Sequence, residues 1–375
     1  MKVNQAKRTK NGKWQFDKQE TLVRPLVLVF GDRFLLEASG IYEEVRSMYA
    51  DGELVFGSTS GEIMDTQVLE ETITLTAIEF EKTNYSIVSS NVADYANIEE
   101  MGKAISATFD KEGLRHLFIV SDGSFVNGSG LIEGLESDTS FNSSITGGLC
   151  GDGARFEKTL ASYNRAPKQG EVVAIGFYGK TLEVSYANYG GWTSFGPERT
   201  ITKSIGNVLF EIDGKPALDL YKTYLGEKAN ELPKAALLYP LSVQEFEDQE
   251  PLVRTILNID EDANSMILAG DVPMNSKVQL MMSTMDDIAS GACNAAEQAM
   301  ERRIKDPELA ILVSCVGRKL VLAGRVEEEI EEVKDVIGEQ AAITGFYSYG
   351  EMAPFAGKNA CQLHNQTMTL TLMSE

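Results

Sequence analysis

The feature that most constrains this chain is an order of segments that comes back near its end. Residues 25–30 (PLVLVF) form a continuous apolar run of strand length, broken at Gly31-Asp32. Residues 35–48 carry Leu36, Ile41, Val45 and Met48 at helical spacing. Residues 54–56 read as a strand, 57–63 (GSTSGEI) as a small-residue loop, and 71–79 (ETITLTAIE) as an alternating strand. The same order follows from residue 310: a strand at 310–314 (AILVS), a break at Gly317-Arg318, an acidic amphipathic helix over 321–337, a strand at 341–344, a loop at 345–352 (GFYSYGEM), and an alternating strand at 367–372 (TMTLTL). Side by side, Arg33 falls on Arg318, Glu62 on Glu351, and TITLT on TMTLT. Three matches in one order argue for an internal repeat. A fainter copy lies between them: a strand at 116–120 (HLFIV), a helical stretch at 131–135, and a loop at 147–153 (GGLCGDG). Beyond it, 171–177 and 181–186 read as a hairpin about Gly179-Lys180.

Strands alternating with helices predict an α/β (α+β) fold. Its sheets are expected to be mixed, because alternating strands accompany the continuous apolar ones. At 375 residues the chain exceeds the usual limit of one core, so two halves are expected. We read 1–22 as a basic, solvated N-terminal tail, 23–230 as the first domain and 231–375 as the second. The polar stretch after Gly226 supplies the boundary.

Charge narrows the partners. Fifty-six acidic residues stand against 34 basic ones, a net charge of -22. Such a surface repels phosphate backbones and anionic lipid, so neither nucleic acid nor membrane is an expected partner. No apolar run is long enough to span a bilayer, and no signal peptide follows the basic N-terminus. Four well-separated cysteines (Cys150, Cys293, Cys315, Cys361), with no CxxC pair, fit reduced thiols in the cytoplasm.

The loops that leave strand ends are where a ligand would collect. The candidate ligand-binding residues are Glu62, Gly148, Asp152, Trp192, Arg318, Tyr349, Glu351 and Asn365. Arginine suits a carboxylate, which makes Arg318 and Glu351 the expected charged anchors. Trp192, between glycines, is read either as a lid or as a plug beneath a loop. His364 is the candidate metal or haem ligand, against a purely hydrogen-bonded role. His116 is expected at the surface. No phosphate loop, Ser-His-Asp or Cys-His arrangement is present, so no catalytic residue is assigned.

Several of these segments together resemble the FIST family of bacterial signal-transduction domains. The motifs are GSTSGEI (57–63), ITGGLCGDG (145–153), GGW followed by FG (190–196), TKSIGNVLFEIDGKPALDLY (202–221), SCVGR (314–318), GFYSYGEM (345–352) and LHNQT (363–367). The resemblance spans roughly residues 23–373. It implies a sensory module with N-terminal and C-terminal FIST halves that binds a small molecule, with amino acids proposed for the family. Relatives are often fused to histidine kinases, chemoreceptor segments or cyclic-dinucleotide enzymes. With no such segment recognised here, the signal is expected to pass to a separate protein of that kind. Because a subset of the family is described as haem-binding, a nitric-oxide sensor using His364 is the alternative. A hydrolase using paired carboxylates is a second one. The family's GGLAGDG reads GGLCGDG here, with Cys150 in the small-residue slot.

Overall fold

The computed structural model describes residues 1–38, 40–138, 143–247, 249–355 and 357–375. Ser39, inside the helix expected over 35–48, lies outside the described residues. The first unit contains strands β1 (Lys2–Arg8) and β2 (Leu26–Gly31), helix α1 (Ile41–Met48), and strands β3 (Glu53–Ser58), β4 (Glu62–Met64) and β5 (Ile73–Glu79). The second contains β6 (Asn84–Asn91), α2 (Ile98–Ala107), β7 (Leu114–Ser121), α3 (Gly128–Leu135), β8 (Ser144–Leu149), β9 (Ala161–Tyr163) and β10 (Glu171–Tyr178). The third contains β11 (Glu183–Tyr189), α4 (Met285–Met300), β12 (Leu309–Cys315), α5 (Val316–Leu322), α6 (Glu328–Ile337), β13 (Ala342–Ser348), β14 (Gly350–Pro354), β15 (Cys361–His364) and β16 (Met368–Ser374).

Each unit has the same connectivity. A first strand runs parallel to the strand that follows its helix: β2 with β3, β7 with β8, β12 with β13. The first strand is also antiparallel to the last: β2 with β5, β7 with β10, β12 with β16. The last strand then pairs with the strand that opens the unit, β1, β6 or β11. One backbone bond recurs in all three. Asp32 N donates to Thr72 O (3.0 Å), Asp122 N to Glu171 O (2.8 Å) and Cys315 N to Thr367 O (3.1 Å).

The units also exchange strands in a closed cycle. β4 of the first pairs with β13 of the third, β14 of the third with β8 of the second, and β9 of the second with β3 of the first. Three mixed six-stranded sheets result. Alternate residues of each sheet meet in a shared core that includes Leu28, Phe30, Phe118, Val120, Ile311, Val313 and Phe346. The opposite faces pack against the units' own helices: Val27 and Val29 with Ile41 and Val45, Leu117 and Ile119 with Met101 and Leu131, Ala310 and Leu312 with Ile330 and Val333. Burial on both faces explains why these strands read as unbroken apolar runs.

Residues 193–282 are an insertion in the third unit. They build a separate eight-stranded sheet, covered by the helix Ala217–Leu225, with its own core around Leu209, Tyr221 and Met266. The boundary expected at 230/231 falls inside this sheet, whose strands come from both sides of it. The two sequence halves are also stitched together, since β11 pairs with β16 over its whole length.

Three local expectations are corrected. The basic N-terminus is not a tail: Lys2–Arg8 is β1, paired residue for residue with β5 from Lys2↔Glu79 to Arg8↔Ile73. The strands near Gly179 form no hairpin, because β10 pairs with β7 and β6 whereas β11 crosses to β16. His116 is fully buried, its two ring nitrogens bonded to Ser144 Oγ and Thr146 Oγ1 at 2.8 Å each. With no charged partner, burial lowers its pKa to about 3 and keeps it neutral.

Two glycines sit where the parallel pairs touch. Gly147 (φ 143°) faces Ile119, and Gly345 (φ 159°) faces Leu312. A Cβ there would stand 2.1 Å from Ile119 O or 1.9 Å from Leu312 O. Neither backbone oxygen can move without breaking its sheet. Gly345→Ala is therefore expected to lower the unfolding free energy by at least about 2 kcal/mol in urea titrations. Gly324→Ala, which meets nothing within 4 Å, is expected to change it by less than about 0.5 kcal/mol.

Candidate functional site

The loops that follow β3, β8 and β13 leave the same end of their sheets, and backbone bonds join them. Ser60 N donates to Tyr347 O, and Tyr347 N to Gly61 O, both at 2.8 Å. Gly151 N donates to Ser58 O (2.9 Å), Gly153 N to Thr59 O (3.2 Å) and Tyr349 N to Leu149 O (3.0 Å). Ser60 Oγ adds a bond to Gly153 O at 2.8 Å. The three loops singled out in the sequence thus converge on one face.

Each loop carries an acid directly after a glycine, and all three acids are buried. Glu62 accepts from Thr59 Oγ1 and Thr72 Oγ1, both at 2.6 Å. Glu351 accepts from Ser348 Oγ (2.5 Å) and from Thr367 N and Oγ1 (3.1 and 3.0 Å). The hydroxyl three residues before the acid and the threonine that opens the last strand are shared devices. Asp152 differs in being ion-paired, accepting from Arg33 Nε (3.0 Å) and Arg155 Nε (2.7 Å). Among the described residues neither glutamate has a cation within 4 Å. Burial, only partly offset by the hydroxyl donors, pushes Glu62 up to about 7 and Glu351 up to about 8.

Two clefts of about 630 Å³ each open on this face. The first lies between units one and three, with Thr59, Ser60, Glu62 and Arg155 on one wall and Val316, Lys319 and Leu320 on the other. Lys319 Nζ bridges it, donating to Ser60 O at 2.5 Å and pairing with Glu70 at 2.5 Å. Arg155 pairs with Asp32 at 3.2 Å as well as with Asp152. The second cleft lies among unit two, unit three and the inserted sheet. Tyr349 stacks there on Phe156 (centroids 4.4 Å apart, planes 19°), and its hydroxyl accepts from Phe156 N at 3.0 Å.

The remaining candidates take other places. Arg318 is completely buried and its donors are committed. Nε and Nη2 pair with Glu329 (2.9 and 2.7 Å), Nη1 donates to Gly190 O (2.5 Å) and Nη2 to Ile288 O (2.8 Å). It cannot also anchor a ligand, and removing it would strand Glu329 at a cost of about 3–5 kcal/mol. Gly148 sits inside the β8–β14 pairing opposite Glu351, where a Cβ would meet Val313 at 2.6 Å. Trp192 is half-buried and donates to Gln366 O at 3.0 Å, which makes it a plug beneath a loop. Asn365 Oδ1 accepts from Thr255 N at 3.4 Å, tying the insertion to unit three. His364 is buried, with Nε2 on Ala353 O at 2.9 Å and Phe355 edge-on at 4.9 Å. It lines neither cleft, and this setting does not fit an axial haem ligand. Among the described residues no group of three or more His, Cys, Asp or Glu is placed to hold a metal. Cys150 is buried, its thiol pushed up by desolvation.

Sequence reading missed Lys319, which was adjacent to the chosen Arg318, and Arg155. It aligned Thr72 with Thr367 without seeing that both hold the acids. The helical register of α5 decides the first point: Arg318 turns inward and Lys319 outward.

A ring of α/β units with clefts of small-molecule size defines the class. Within it, residues 25–215 match the FIST N domain and residues 217–354 the FIST C domain, so the chain belongs to the FIST family. FIST domains are sensory domains of signal transduction. Two uncharacterised proteins of Mycobacterium tuberculosis, from strains CDC 1551 / Oshkosh and ATCC 25618 / H37Rv, are each 26% identical over 268 residues, covering 68% of this chain and 67% of the relative. A crystal structure of cyanuric acid hydrolase from A. caulinodans aligns over 78% of this chain and 99% of that one, at 8% identity and a TM-score of 0.18, too low to carry an argument. Among the described residues no helix is long and apolar enough to cross a membrane.

The two glutamates set a pH dependence. Their folded pKa values lie above the solvent value of 4.5, so the folded chain holds their protons more tightly than the unfolded chain does. The stabilisation is complete below about 4.5 and is lost as pH rises through about 7 and 8. Unfolding free energy is expected to fall between pH 5 and pH 8, by up to about 1.4 kcal/mol per pH unit for each group. Glu351→Gln is expected to flatten that slope. A wild-type stability that stays level across this range would contradict the assignment.

Proposed function

We propose that this chain is a sensory protein that binds a small amine-bearing molecule, of which an amino acid is the simplest, in the cleft between units one and three. The reading is supported above all by Glu62, a buried carboxylate that lines a cleft of ligand size and has no cation within 4 Å among the described residues. An ammonium group would supply the missing charge, displace the proton of Glu62 and gain a charge-assisted hydrogen bond. The ligand's carboxylate would compete with Glu70 for Lys319. Because Lys319 belongs to unit three and Ser60 to unit one, occupancy would alter the bond that ties them. That is a differential contact of the kind a population shift requires. The altered face would then be read in the cytoplasm by a separate protein, such as a histidine kinase or a cyclic-dinucleotide enzyme.

The two alternatives lack such support. A haem reading would need His364 freed from Ala353. A carboxylate-pair hydrolase would need Glu62 and Glu351 in one cavity, and Glu351 lines neither cleft on this face.

A thermal-shift screen of amino acids and simple amines tests the proposal, followed by calorimetry on any ligand that stabilises the protein. Affinity should drop about tenfold or more in Glu62→Gln and in Lys319→Ala. It should also weaken below pH 7, where Glu62 takes up its proton. Absence of any stabilising amine, or equal affinity in Glu62→Gln, would falsify this reading.

A further inference from the structure

A cleft away from the three loops holds a buried cation that forms no ion pair among the described residues. Arg254 lies at the end of the edge strand Leu252–Arg254 of the inserted sheet and is only 5% exposed. Its Nε donates to Asp271 O at 3.1 Å and its Nη1 to Leu363 O at 2.8 Å. Nη2 has no partner among the described residues, and no carboxylate there lies within 4 Å. Gly270 fits beneath the guanidinium, where any Cβ would come within 3.0 Å of Nε. Burial, only partly offset by the more distant charge of Asp271, lowers even this arginine, to about 10. Buried charges are ordinarily paired, because removing a lone ion from water costs several kcal/mol. Two backbone carbonyls do not replace a full negative charge.

The guanidinium lines a cleft of about 460 Å³ between the insertion and unit three, walled on one side by Ser129 and Glu133 of α3 in unit two. Val243, Leu252 and Phe355 supply apolar wall. Among the described residues Glu133, Glu245, Glu250 and Asp271 also line it, against one further cation, Lys358. Mutual repulsion there is felt by Glu133, whose pKa is raised by burial and by the charges of Glu99 and Asp271. A dianion would meet this acidic rim at a penalty. A single carboxylate on an apolar body would satisfy the fork of Arg254, lay its chain on the apolar wall and bring no second negative charge.

We propose that Arg254 is the anchor of a second ligand site, in the cleft between the inserted sheet and unit three, that takes small apolar monocarboxylates. This site does not rest on the reading of the Glu62 cleft. Since Arg254 belongs to the insertion and Leu363 to β15, an occupant would bridge the two bodies.

Isothermal titration of the full chain with butyrate and benzoate, with succinate and inorganic phosphate as contrasts, tests it. Saturable binding of the monocarboxylates is expected. It should weaken about tenfold or more in Arg254→Lys, which keeps the charge but loses the fork, and tighten several-fold in Glu133→Gln, which removes a repulsive charge. Glu62→Gln should leave it unchanged, so the two sites stand or fall separately. A melting curve establishes whether Arg254→Lys is folded; if it is not, the change in Glu133→Gln decides. The proposal is overturned by absence of monocarboxylate binding, by succinate or phosphate binding as tightly, or by affinity unchanged in both folded variants.

Discussion

The whole molecule depends on the shared apolar core into which all three sheets send alternate side chains. Phe30 and Phe346 meet there with centroids 4.7 Å apart, beside Phe118, Val120, Ile311 and Val313. Each fully buried side chain of this size contributes roughly 1.5–3 kcal/mol. None of the three units owns that core. A single unit, cut free, would expose one complete face of its sheet to water. The exchanged strands β4, β9 and β14 make the same demand through the backbone, because each satisfies its hydrogen bonds on a neighbouring unit.

From this constraint the functional face follows. The exchanged strands follow β3, β8 and β13 in their units, so the three connecting loops meet at one end of the core. Their acids follow the turning glycines and are drawn beneath that meeting point. Burial then raises the two glutamates that lack a cation, whereas Asp152 is held by two arginines. One architecture thus gives three similar positions different chemistry. Among the described residues, the cleft between units one and three combines a buried carboxylate outside any ion pair with a lysine that spans two units.

The insertion is attached differently. Among the described residues few polar bonds hold it to the core: Arg254 to Leu363, Thr255 to Asn365, Gln366 to Leu237, and Asn127 to Asp271. The first three use the short segment 363–366, part of the LHNQT motif. Three residues of that motif therefore serve a joint between bodies, and His364 beside them is held by Ala353 O and Phe355 of unit three.

The sequence by itself determined the α/β character, the apolar first strands, the glycine-rich loops and their acids, and the family. Those features are local: an unbroken apolar run means burial on both faces, and a glycine before an acid marks a turn, whatever surrounds it. Only the tertiary structure decided which units exchange strands, that Lys2–Arg8 completes a sheet, and that the chain between 193 and 282 builds a body of its own. It also decided that Arg318 is spent on Glu329 whereas Lys319 and Arg254 face clefts. An arginine is a ligand anchor or a structural pin according to what lies within 4 Å of its guanidinium. Here the groups that settle the matter are 11 residues away for Arg318 and 109 for Arg254, and only the folded chain brings them together.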